Sequence, residues 1–177
     1  MLSSEIEVLM GKLSLLGRPV VGQLVPGSNQ SRVSEFLGSD VPDDVKTWFA
    51  WCDGVDCRAG QSQDDINIIP GYYPLSLVEA MEVKSDHEGD PVLDGSWIPL
   101  LGGGGGDMYA ALWSPGQDPV VAGSLVGEMT EIEFSSLGQA VRFFNECYEA
   151  GAFGVNEQGQ LYIDPASYDE LYETLHG

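Results

Sequence analysis

Five consecutive glycines, Gly102–Gly106, are the first residues whose type and spacing could do chemistry, because glycine-rich loops bind phosphate groups in nucleotide-binding proteins. A Walker loop ends in Gly-Lys-Ser/Thr, and its lysine contacts the phosphate. This run ends at Asp107, whose carboxylate would repel a phosphate, and the pattern that follows is not helical. We therefore interpret the five glycines as a tight connection between two strands.

The segment Asp86–Asp94 carries acidic residues that are spaced like the start of a calcium-binding loop. A helix-loop-helix calcium site needs glycine at its sixth position and glutamate at its twelfth. Counted from Asp86, those positions hold Pro91 and Trp97. We therefore interpret the segment as a solvated acidic loop and expect no metal site there.

Nucleophilic catalysis requires a base beside a serine or cysteine, and histidine is the usual base. The two histidines are His87 and His176, and we expect fraying at His176, the penultimate residue. No Gly-x-Ser-x-Gly elbow occurs. Carboxylate pairs for glycosidic chemistry stay an open alternative, because 28 acidic residues permit many pairs. We expect a protein that is not an enzyme and that uses no cofactor.

Cysteine usage and the absence of targeting patterns favour a cytoplasmic protein. Cys52, Cys57 and Cys147 are odd in number, and no histidine lies at a zinc-ligand spacing from them. We expect reduced thiols, as is usual in the cytoplasm. The first residues are acidic rather than basic, which argues against a secretory signal, and no apolar run reaches the ~20 residues of a membrane span.

The charge balance excludes whole classes of partner. Twenty-eight acidic residues against seven basic ones give a formal net charge of −21. Nucleic-acid binders and proteins on anionic membranes need clustered lysine and arginine, which seven scattered cations cannot supply. After Lys84 the only cation is Arg142, against 16 acidic residues. We expect a broad negative face, which would steer a basic partner or serve solubility alone.

The four tryptophans divide into two pairs by their position in the pattern. Trp48 and Trp97 lie inside periodic apolar segments, so we expect them in the core. Trp51 and Trp113 lie near the ends of predicted elements. They are the better candidates for exposure and for an apolar anchor at an interface.

The elements that must position these residues follow from periodicity and turn chemistry. Apolar residues at helical spacing, with caps and glycine stops, predict helices over 3–16, 31–37, from Pro42 to a stop at Gly54, 77–84, from a cap at Ser135 or Ser136 to a stop at Gly151 to Gly154, and 165–175. Short apolar segments predict strands over 66–69, 97–101, 108–113, 119–121, 130–134 and 161–163, with a polar exposed loop over 55–66. Helices on both sides of an antiparallel meander predict a single α+β domain.

Several short motifs follow one another in a characteristic order over residues 29–150. They are Phe36-Leu37-Gly38, Val41–Val45, Trp48 with Asp53-Gly54, Ile69–Ala80, Trp97–Leu100, Gly105–Ala110, Pro119-Val120 and Ser136-Leu137. Their order resembles that of the SMI1/KNR4 (SUKH) superfamily. The family commonly has leucine before the proline where this chain has Val41, and the five-glycine run is longer than usual.

The resemblance implies an α+β fold with a mixed, mostly antiparallel sheet flanked by helices. Residues 29–150 would be the SMI1/KNR4-like domain. The resemblance says nothing about the rest of the chain, where the residue pattern predicts an N-terminal helix and connection over 1–28 and a strand-helix extension packed on the same domain over 151–177. Many bacterial members resemble immunity proteins, which bind and neutralise a cognate toxin that is often a nuclease. Fungal members act in cell-wall regulation, so a cytosolic regulatory or scaffold protein is the alternative. The family has no catalytic residues to carry over.

Charge and resemblance together predict an interface for a basic, nuclease-like toxin domain. A nuclease holds phosphates in a basic cleft, which an acidic protein can occupy. We expect the acidic residues of two loops to face this partner, with Trp51 or Trp113 as an apolar anchor. The acidic residues are Asp64, Asp65, Asp86, Glu88, Asp90 and Asp94.

Overall fold

The computed structural model describes residues 1–177 and contains seven helices and nine strands, joined into a single α+β domain. The helices are α1 (Leu2–Leu15), α2 (Gln30–Leu37), α3 (Asp43–Trp51), α4 (Gln63–Ile66), α5 (Leu77–Asp86), α6 (Leu137–Ala150) and α7 (Pro165–His176). The strands are β1 (Leu24–Pro26), β2 (Cys52–Val55), β3 (Tyr72–Pro74), β4 (Ser96–Gly103), β5 (Met108–Trp113), β6 (Val120–Ser124), β7 (Glu131–Phe134), β8 (Phe153–Val155) and β9 (Leu161–Ile163).

The centre of the fold is a five-stranded sheet in the order β3-β4-β5-β6-β7. Each strand pairs antiparallel with the next along the chain, so the predicted meander is confirmed for β4–β7, and β3 adds a strand that was not predicted. Two further antiparallel pairs, β1–β2 and β8–β9, lie outside this sheet. Helices flank the sheet, and the predicted α+β class is confirmed.

One face of the sheet, the first face, packs against α6, which in turn packs against α1. Leu9 and Leu13 of α1 are fully buried, as their helical spacing predicts. On β5 the alternate residues Tyr109, Ala111 and Trp113 join this core. The N-terminal helix therefore contributes to the same core as the central sheet.

The opposite, second face of the sheet carries a smaller core of its own. Met108, Ala110 and Leu112 of β5 point to this face and pack with Trp97. The cover is the segment between α5 and β4, which contributes Leu93. Burial on both faces explains why β5 reads as a continuous apolar run instead of alternating apolar and polar residues.

Three local predictions between residues 52 and 69 are wrong. Helix α3 ends at Trp51, before Gly54, because Cys52–Val55 leaves the helix to pair with β1. The loop expected over 55–66 contains α4, which Ser62 and Asp65 begin with a capping box. The strand expected over 66–69 does not form, because α4 ends at Ile66 and only Ile69 makes a bridge, to Tyr72.

The C-terminal region is held more firmly than the fraying expected for His176. Strand β8, which the sequence pattern did not reveal, pairs with β9 and precedes α7. Tyr168 of α7 contacts Phe143 of α6 edge to face, with ring centroids 5.4 Å apart. His176 stacks on Tyr172, and its Nε2 lies 2.7 Å from the Glu133 carbonyl oxygen.

None of the seven helices combines the length and the apolar character that a membrane span requires.

Candidate protein-binding surface

The acidic loop, residues 86–94, begins where α5 ends and crosses the second face of the sheet. Ser76 and Glu79 start α5 with the capping box that their spacing predicts. Leu93 anchors the loop in the smaller core, with 6 % of its surface exposed. The burial of this one apolar side chain fixes the loop and leaves its carboxylates at the protein surface. The exposed carboxylates are Asp86, Glu88 and Asp94.

Asp90 differs from the other acidic residues of the loop because its carboxylate is used inside the protein. Oδ1 accepts a hydrogen bond from the backbone N–H of Val92 at 2.8 Å, and Oδ2 accepts one from Thr130 Oγ1 at 2.5 Å. Desolvation alone would raise the pKa of Asp90, but these hydrogen bonds outweigh it and lower the pKa below its ordinary value. Asp90 is therefore a structural tie between the acidic loop and Thr130.

A cleft of about 370 Å³ separates the end of α5 from the acidic loop. Lys84 lies in its wall, with Nζ 5.2 Å from the centroid of the Trp97 ring and donating to the Trp97 carbonyl oxygen at 2.8 Å. Burial lowers the pKa of Lys84. The cation nearest to Glu88 and Asp94 along the chain is thus already bound within the protein, and those carboxylates have no ion-pair partner.

Asp64 and Asp65 are half-buried and hydrogen-bonded, in contrast to the exposed loop expected for them. Asp64 accepts from Arg18 Nη1 at 3.1 Å and from the backbone N–H of Leu161 at 3.0 Å. Asp65 accepts from the backbone N–H of Ser62 at 2.8 Å as part of the α4 capping box. Asp64 and Asp65 therefore share no hydrogen-bond partner with the acidic loop.

The tryptophans follow the sequence prediction in two of four cases. Trp48 and Trp97 are buried, as predicted, whereas Trp51 is half-buried, with its ring edge-to-face on Trp48 at 5.0 Å. The exposure expected for Trp113 is wrong, because this side chain is 9 % exposed and lies in the main core. Although Trp113 ends β5, it pairs with Ser96 of β4 and remains inside the sheet.

The glycine run forms the connection between β4 and β5, as its composition predicts. Strand β4 continues through Gly103, whose N–H donates to the Asp107 carbonyl oxygen at 2.7 Å. A Cβ atom on Gly103 would lie 3.2 Å from both Asp107 Cβ and the Gly71 carbonyl oxygen, so the backbone leaves little room for a side chain. Gly106 has a φ of +96°, which disfavours any other residue. The run therefore serves close packing and a tight turn.

The next hairpin carries exposed apolar side chains that the sequence patterns did not reveal. We call the four residues Leu125, Val126, Met129 and Ile132 the hairpin patch; they lie at the β6–β7 turn and on the edge strand β7. The segment reads in sequence only as a glycine-bounded break between two strands. Exposure could not be predicted, because similar apolar residues on β5 and β6 are buried on both faces.

Asp53 and Gly54, which form one of the motifs that resemble the SMI1/KNR4 superfamily, have a structural role. Asp53 accepts hydrogen bonds at 2.8 Å from Ser28 Oγ and from the backbone N–H of Leu77, the first residue of α5. Gly54 has a φ of +89°, and a Cβ there would lie 2.9 Å from Ser76 Cβ. These residues therefore join β2 to the start of α5.

Compared with known proteins, the sequence matches no family model and no curated protein. The resemblance to the SMI1/KNR4 superfamily stays a prediction.

Proposed function

We propose that the chain is an immunity-type binding protein of the SMI1/KNR4 kind, which neutralises a basic, nuclease-like bacterial toxin by covering its active cleft. The observation that carries the proposal is the unbalanced charge of the acidic loop. Asp86, Glu88 and Asp94 are exposed, and the nearest cation in sequence, Lys84, is bound to the Trp97 backbone.

Unpaired surface carboxylates suit a partner whose own surface is basic. A nuclease must hold phosphate groups in a positively charged cleft. An acidic protein gains association rate from electrostatic steering toward such a cleft, and it gains specificity from charge matching. A chain with a net charge of −21 is itself repelled by nucleic acid, so it would compete with the substrate without binding it.

The proposal predicts rescue of bacterial growth on co-expression. The toxin to be tested is any short basic domain found at the end of a large gene beside this reading frame. We expect its expression alone to stop growth and co-expression of the chain to restore growth. Because exposed carboxylates would make the contact, the triple variant Asp86→Asn, Glu88→Gln, Asp94→Asn should restore growth less well.

The matched control neutralises three exposed acidic residues of α7, namely Asp169→Asn, Glu170→Gln and Glu173→Gln. It removes the same charge and should rescue as well as the unmodified chain. Failure of the unmodified chain to rescue would contradict the proposal. Binding of cellular proteins in the absence of any toxin would instead favour the regulatory or scaffold function.

A further inference from the structure

We infer that the hairpin patch is the surface on which the basic partner docks, and that the partner presents an apolar side chain ringed by lysine or arginine. The inference rests on the proposed function only for the identity of that partner as a toxin. The acidic loop would then supply long-range attraction, while the hairpin patch would supply the apolar contact.

The first support is the degree of exposure at the hairpin. Met129 is 83 % exposed, Val126 67 %, Ile132 48 % and Leu125 40 %. Single exposed apolar residues are ordinary on protein surfaces, but here four lie within eight residues of one hairpin. Such groups rimmed by polar residues are typical of protein interfaces.

The second support is that the hairpin is held in place by its neighbours. Asp107 Oδ1 accepts a hydrogen bond from the backbone N–H of Val126 at 2.8 Å, which ties the β6–β7 turn to the β4–β5 turn. Thr130 donates to Asp90 of the acidic loop and lies 3.0 Å from Ser124 Oγ. A preordered turn loses little conformational entropy on binding, which favours affinity.

The third support is the sign of the surrounding charge. Glu128 and Glu131 are exposed within the hairpin, and Asp107 and Asp90 hold its two sides. The one cation beyond Lys84, Arg142, pairs with Glu5 instead. An acidic rim around an apolar centre favours a basic partner. It disfavours a second copy of this chain and an anionic membrane, because both are negatively charged.

A short synthetic peptide that alternates lysine and leucine is a suitable probe of this surface. The control peptide has serine in place of every leucine and so carries the same charge. We expect the chain to bind the leucine peptide about fivefold to tenfold more tightly, since an apolar anchor adds to the charge attraction. In NMR titrations, the backbone shifts specific to the leucine peptide should lie at residues 125–132.

The variant Val126→Ser, Met129→Ser should abolish the advantage of the leucine peptide. Leu15→Ser is the matched control, because Leu15 is 91 % exposed and lies at the end of α1. It should keep the advantage. Equal binding of the two peptides by the unmodified chain, or shifts confined to other residues, would overturn the inference, and unchanged thermal unfolding will show that both variants fold.

The peptide experiment and the co-expression experiment fail independently. If the chain does not rescue growth but the peptide advantage depends on Val126 and Met129, the result supports the docking surface and contradicts the proposal that the partner is this toxin. If the chain rescues growth and the hairpin variant rescues equally well, the function stands and the docking surface is overturned. Loss of rescue in the hairpin variant, with Leu15→Ser unaffected, supports both.

Discussion

Replacing Arg18 with methionine is expected to lower the free energy of unfolding by about 3 kcal/mol, the lower end of the usual cost of removing one partner of a buried ion pair, because the Asp64 side chain left behind is 23 % exposed. The Arg18 side chain is 1 % exposed. Nη1 contacts Asp64 Oδ2 at 3.1 Å and the Gly159 carbonyl oxygen at 2.5 Å, while Nη2 donates to the Asp64 carbonyl oxygen. One guanidinium thus joins three distant parts of the chain, and its loss leaves Asp64 without its counter-charge.

Arg142→Met is the matched control for this prediction. Arg142 Nε lies 3.1 Å from Glu5 Oε1, the same separation as in the buried pair, but its side chain is 60 % exposed. We expect a loss of about 0–1 kcal/mol there, because water screens an exposed pair. Urea unfolding of the three proteins measures both effects. Equal losses for the two variants would show that Arg18 is no more important to the fold than a surface arginine.

Trp113→Ala is expected to cost about 3–5 kcal/mol of stability, as is typical for removing a buried tryptophan from a core. Trp113 is 9 % exposed and belongs to the main core cluster. The main core contains buried residues of both the sheet and the helices, so the vacated volume cannot collapse easily. The variant should unfold at a much lower urea concentration than the unmodified chain.

Trp51→Ala is the comparison that separates a core tryptophan from an accessible one. Trp51 is half-buried, and its ring contacts that of Trp48 edge to face. We expect a loss near about 1 kcal/mol, chiefly from the aromatic contact. If Trp113→Ala were as mild as Trp51→Ala while toxin neutralisation was lost, Trp113 would be an interface anchor, as the sequence position first indicated.

The elements that could be predicted from the sequence are those with strong local signals. Helix α5 begins directly after Ser76, because the Ser76–Glu79 capping box lies within four adjacent residues. Helix α6 ends before Gly151, which adopts the left-handed backbone conformation that glycine tolerates better than other residues. The antiparallel meander follows from short apolar segments divided by turns of glycine and proline.

The elements that were missed depend on partners far away in sequence. Strand β2 takes Cys52 out of the expected helix because β1 is available to pair with it. Strand β8 exists only with β9, and each has three residues, too few for a clear period. Tertiary pairing overrides local propensity in such short segments.

The candidate site could be predicted in part. Asp86, Glu88 and Asp94 are exposed, as expected of a solvated loop, whereas Asp64 and Asp90 satisfy structural hydrogen bonds. The sequence does not distinguish a carboxylate that faces water from one that accepts a hydrogen bond from a distant buried donor. Asp90 is an example, because its donor Thr130 lies 40 residues further along the chain. Composition therefore predicted the acidic character of the surface better than it predicted which acids remain free.

The salt dependence of association tests the central claim most directly, namely that the exposed acids attract a basic partner. Stopped-flow measurement with the purified basic toxin domain should show a rate constant that falls at least about tenfold between about 50 and 500 mM salt. The triple variant Asp86→Asn, Glu88→Gln, Asp94→Asn should associate more slowly at low salt and depend less on salt. An association rate independent of salt, or an unchanged salt dependence in the triple variant, would contradict the account.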